Sequence, residues 1–142
     1  MIMEDFVSFE ISLKLKEKGF REECIAYYHT DGELLYNRDQ YRGGDYKSLL
    51  RSYNGLSKNP IGYEQIDAPT ISQVLKWLRE KKLILIGLSP MQEYDCNEII
   101  EWCCTIFMAD KQGGLSLQEE FYYQSYEQAA LAGIEYVLDN II

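Results

Sequence analysis

Apolar residues near the start of the chain repeat with two periods at once. Phe9, Ile11, Leu13 and Leu15 alternate as in a strand, whereas Val7, Ile11 and Leu15 recur every fourth residue as in a helix. The end signals decide between them. Ser8 can cap, Glu10 lies in the first turn, Lys14, Lys16 and Lys18 crowd the last turns, and Gly19 stands where a helix would stop, so residues 8–18 are expected to be helical. Residues 24–28 (Cys-Ile-Ala-Tyr-Tyr) have strand composition. Thr30-Asp31-Gly32 tolerates positive φ, and residues 33–36 run back as the second arm of a β-hairpin. From 37 to 62 the periodicity breaks down, with Gly43-Gly44, Asn54-Gly55 and Asn59-Pro60 marking turns around a short helical stretch at 46–53.

Residues 63–66 read as a short strand. Behind them Thr70 precedes Gln73 by three residues, as in a capping box, and Ile71, Val74, Leu75 and Leu78 fall on one helical stripe with Lys76, Arg79 and Glu80 opposite. Residues 83–88 and 99–107 are two apolar runs of strand composition, expected to pair across the acidic connection 92–98. Gly113-Gly114 breaks the chain, and residues 121–123 read as a last strand. Ser125 and Gln128 repeat the capping-box pattern ahead of a final helix whose inner face would hold Ala130, Ile134, Val137 and Ile141. Helices and strands do not alternate regularly. The expected class is therefore α+β: an antiparallel or mixed sheet of about four to six strands with three main helices packed on it, in a single globular domain spanning residues 1–142.

Several of these segments together resemble small uncharacterised proteins of Bacteroides genomes and their prophages. They are Ser8-Phe9-Glu10-Ile11 with Lys16-Glu17-Lys18-Gly19-Phe20, Ala26-Tyr27-Tyr28 to Asp31-Gly32, residues 68–74 with Trp77-Leu78-Arg79-Glu80, and residues 125–129. The likeness spans most of the chain and is weakest at 41–62. It implies an origin, in a mobile element, and no activity.

Charge changes this picture more than total composition does. The chain of 142 residues carries a formal net charge of −9, and residues 1–88 balance 13 acids against 13 bases. Residues 89–142 hold 10 acids and the single base Lys111, and so supply the whole excess. Such a segment repels nucleic acid and anionic lipid and attracts a basic partner. Glu119, Glu120 and Glu127 are its candidate contact residues. The one stretch of opposite character is 38–58, where Arg38, Arg42, Lys47, Arg51 and Lys58 are interleaved with Tyr41, Tyr46 and Tyr53. Arginine and tyrosine at this spacing can stack on bases and reach phosphate, which makes the segment a candidate nucleic-acid contact, against the acidic whole.

Catalytic signatures are missing from the sequence. His29 is the only histidine and falls beside the hairpin turn, where a solvated side chain is expected; an enzymatic reading, ranked last, would be built around it or around a cysteine. Cys24, Cys96, Cys103 and Cys104 form no Cys-x-x-Cys pair, and neighbours on a strand point to opposite faces, so no metal site is predicted and core thiols are. No phosphate-binding glycine motif or nucleophile elbow occurs, and no cofactor is expected. The acidic N-terminus lacks the pattern of a signal peptide, and no apolar run is long enough to span a bilayer, which points to a cytoplasmic protein. Twelve tyrosines and two tryptophans exceed what a small core needs, which raises self-association. The expected function is that of a non-enzymatic accessory protein that binds a protein partner, with nucleic-acid binding through 38–58 as the alternative.

Overall fold

In the computed structural model, which describes residues 5–37, 50, 65–92 and 99–142, with 99 and 100 as backbone only, the Ser8 hydroxyl accepts a hydrogen bond from the Ile11 amide at 3.2 Å and opens helix α1 (Phe9–Glu17). Gly19 closes it at φ +88°, a left-handed conformation that a side chain would strain. Strands β1 (Ala26–Tyr28) and β2 (Leu34–Tyr36) pair antiparallel, Ala26 opposite Tyr36 and Tyr28 opposite Leu34. Their turn is built as its residues predict. Gly32 takes φ +89°, and the Asp31 carboxylate accepts the Glu33 amide at 2.8 Å.

The other edge of β1 receives β3 (Ile66–Asp67), giving the sheet order β2-β1-β3. One face of this sheet buries Ala26, Tyr28, Ile66 and Ala68 against the partly buried Phe6, Phe9 and Leu34. Tyr28 is anchored within it, because its hydroxyl donates to the Val7 carbonyl and its ring meets Phe9 edge-on at 5.5 Å. Burial holds its phenol above the usual tyrosine range.

Helix α2 (Ile71–Lys81) buries Ile71, Val74, Trp77 and Leu78. Trp77 takes the place on the inner stripe that periodicity gives to Leu75, which is only half-buried. Leu83 then adopts φ +57°, so the following strand, β4 (Ile84–Gln92), begins one residue later than the apolar run suggests. It pairs antiparallel with β5 (Ile99–Ala109), as expected of the two runs, from Ile84 opposite Met108 to Gln92 opposite Ile99. β6 (Leu115–Tyr123) lies on the far side of β5, which completes the order β4-β5-β6. This strand is longer than the three aromatic residues at its end.

Helix α3 (Tyr126–Asn140), capped by Ser125 through the Gln128 amide at 3.1 Å, packs on one face of that sheet. It buries Ala129, Ala130, Gly133, Ile134, Val137 and Leu138 against a sheet face that includes the fully buried Ile84, Cys104 and Ile106. Ile141, placed on the inner face by periodicity, falls past the helix end and is half-buried. The α+β class with antiparallel pairing holds. Among the described residues six strands are divided between two three-stranded sheets, and the chain clusters into two compact units, Met1–Thr70 and Ile71–Ile142, one sheet in each.

Candidate interaction surface

Residues that face each other across an antiparallel ladder share a side of the sheet. In β4-β5-β6 the side toward α3 carries Ile86, Cys104 and Phe121. A Cβ on Gly133 would lie 2.6 Å from Cys104 Sγ and 3.3 Å from Ile86, and Phe121 meets Tyr136 of α3 at 5.2 Å. The opposite side therefore carries Leu85 and Phe107, Cys103 and Tyr122, Thr105 and Glu120, and Leu117. Leu115, Leu117 and Tyr122 are 60%, 54% and 51% exposed. These three are large apolar or aromatic side chains on one strand with water as their neighbour.

Glu120 is the polar centre of this side. Its Oε1 accepts the Tyr122 hydroxyl and, at 3.5 Å, the Cys103 thiol. The hydrogen bond to a carboxylate, reinforced by its charge, pushes the Tyr122 phenol up to about 12. Burial, followed by the same carboxylate, raises the Cys103 thiol as well. Both groups are thus held protonated as donors. A thiol kept protonated is a poor nucleophile, and in this trio the Cys103–Glu120 hydrogen bond links the side chains of β5 and β6. Cys104, on the covered side, is pushed up to about 11 by burial. Burial raises Cys24 further still.

Of the residues singled out by sequence, Glu119 and Glu120 are neighbours on β6, and Glu127 stands in the first turn of α3, where an acid complements the helix end. The Glu119 carboxylate accepts the Glu120 amide at 3.0 Å. Arg38, Tyr41, Arg42, Tyr46, Arg51 and Tyr53, with the rest of 38–49 and 51–58, lie outside the described residues. His29 is half-buried with Nδ1 3.5 Å from Asp31 Oδ1, the same oxygen that serves the turn. Reasoning from sequence missed Leu115, Leu117, Cys103 and Tyr122. The alternation Leu115-Ser116-Leu117 was the available signal for the first two. Cys103 and Tyr122 become neighbours only through strand register, which no local pattern reports.

Among the described residues no cluster of three or more His, Cys, Asp or Glu could hold a metal ion, and no helix is long and apolar enough to cross a membrane. The three strands carry Glu101, Glu119 and Glu120 and neither lysine nor arginine. Comparison of the chain with known protein families, with curated proteins and with solved structures returns no match.

Proposed function

We propose that this protein is a non-enzymatic accessory protein that binds a protein partner through the exposed side chains of β6, the outer strand of its β4-β5-β6 sheet. The observation that carries this reading is the exposure of Leu115, Leu117 and Tyr122 beside Glu119 and Glu120, on a sheet whose other side is packed by α3. An isolated surface leucine means little, but several large side chains on one strand, rimmed by acids, have the composition of a contact patch. The acidic excess of residues 89–142 supports a partner of positive charge and argues against nucleic acid at this surface. The cytoplasm, where thiols stay reduced, is the compartment we assign, in keeping with the buried free Cys24, Cys103 and Cys104.

The test is affinity capture at low salt with the tagged wild-type chain, with a Leu117→Lys/Tyr122→Ala variant, and with the charge reversal Glu119→Lys/Glu120→Lys/Glu127→Lys. Partners retained by the wild type should be lost from both variants while their circular dichroism stays unchanged. Recovery of the same proteins in the same amounts by all three chains would overturn the reading.

A further inference from the structure

We propose that β6 is a docking edge for an extended, basic segment of another polypeptide, which joins the β4-β5-β6 sheet as a fourth strand. This names the partner class for the function proposed above and rests on that reading. In a three-stranded sheet both outer strands direct alternate N–H and C=O groups away from the sheet, and such a row is a template for another strand. The two edges here are not equivalent. β4 contains Pro90, which has no N–H to give, and Gly87, which weakens a strand. β6 runs nine residues, Leu115–Tyr123, without proline, glycine or lysine, and the bulge at Gln118 and the charges of Glu119 and Glu120 are the features that a joining strand has to match. At about 3.4 Å per residue it offers a row of about 30 Å. Among the described residues, no backbone–backbone hydrogen bond ties β6 to anything but β5; only its own side chains reach its backbone, the Glu119 carboxylate accepting the Glu120 amide and the Gln118 side-chain amide donating to the Ser116 carbonyl. Seven of its nine residues are exposed, and only Glu119 and Phe121 are half-buried.

Charge selects the occupant. A second copy pairing antiparallel in the register that overlaps the whole strand would set Glu119 directly against Glu119, and like charges opposite each other oppose pairing. A strand with two adjacent bases opposite Glu119 and Glu120 instead forms two cross-strand ion pairs, one on each side of the sheet. The register shift at Ile106/Phe107 leaves Gln118 as the extra residue between Leu117 and Glu119. Skipping that residue as β5 does, the matching segment places an apolar residue on each side of its basic pair, one against Phe121 and one against Leu117. No base on β4, β5 or β6 neutralises the two glutamates beforehand.

The probe is the synthetic heptapeptide Thr-Thr-Val-Lys-Lys-Val-Thr, capped at both ends, whose Val-Lys-Lys-Val centre reads the same in either strand direction, titrated into the protein with amide hydrogen exchange as readout. Its controls are the same peptide with Glu-Glu in place of Lys-Lys, and the same peptide N-methylated on alternate residues along one edge. Saturation with the basic peptide should slow exchange of alternate amides of β6 at least about tenfold, and the acidic and N-methylated peptides should bind at least about tenfold more weakly. The variant Glu119→Lys/Glu120→Lys should reverse the preference and take the acidic peptide. That reversal keeps the test independent of any loss of fold. Binding that leaves β6 exchange unchanged, or that survives N-methylation, would overturn edge pairing while leaving the proposed contact patch standing. Slowed β6 exchange in the free protein that grows with protein concentration would overturn it in favour of a second copy.

Discussion

Two buried residues sit in helices with alanine as the natural alternative, and the physical chemistry around them gives opposite answers. Gly133 in α3 lies where a Cβ would come within 2.6 Å of Cys104 Sγ and 3.3 Å of Ile86 on β4. Replacing glycine by alanine inside a helix gains about 1 kcal/mol in propensity, but forcing a methyl group into a filled contact costs about 1–3 kcal/mol. The close helix–sheet approach should win. Ser12 in α1 is fully buried, and its hydroxyl has no hydrogen-bond partner among the described residues. Removing an unsatisfied buried hydroxyl relieves about 1–3 kcal/mol of desolvation, and alanine is the better helix former as well. Thermal unfolding of the two single variants should therefore move in opposite directions: Gly133→Ala down and Ser12→Ala up, each by a few degrees. The same rise and fall in both variants, or no shift in either, would show that these local contacts do not set stability.

Helix α3 depends on its start more than its sequence periodicity suggests. The Ser125 hydroxyl takes the Gln128 amide, Glu127 adds negative charge to the first turn, and the helix then holds Tyr126 edge-on to Trp102 at 5.2 Å. Ser125→Ala should cost about 1 kcal/mol, and Ser125→Asp should restore it, as read by the unfolding midpoint in urea followed by tryptophan fluorescence. An unchanged midpoint in the alanine variant would refute this role for the cap. Such capping signals were legible beforehand, since Ser8 and Ser125 act through neighbours three residues away. So were the hairpin around Asp31 and Gly32 and the pairing of the two apolar runs. Much of β6 was not legible. Glu119-Glu120 interrupts the alternation begun by Leu115 and Leu117, and with one side of the strand exposed no apolar stripe marks it. The division of six strands between two sheets was hidden for a related reason: β3 is only two residues long and owes its existence to pairing with Tyr27 and Tyr28, far away in the chain. At the candidate surface, charge counting found Glu119 and Glu120, whereas the hydrogen bond from Cys103 to Glu120 spans 17 positions and needed the register of β5 on β6.

Across the whole chain, charge should act on stability and on binding with opposite sign. A net charge of −9, gathered in residues 89–142, disfavours the compact state by self-repulsion and favours a basic partner. Raising NaCl from about 0.02 M to about 0.5 M shortens the screening length from about 20 Å to a few ångströms. The melting temperature should rise over this range while affinity for the Lys-Lys peptide falls, measured by scanning fluorimetry and calorimetry on the same samples. A parallel rise of both would mean that the peptide is held by apolar contact alone. Pro90 has a last consequence at this scale. Because the β4-β5-β6 sheet is obstructed at β4 and receptive at β6, the proposed docking gives this sheet a valence of one: a strand that joins at β6 finds no equivalent edge at β4 from which a ribbon of strands could grow.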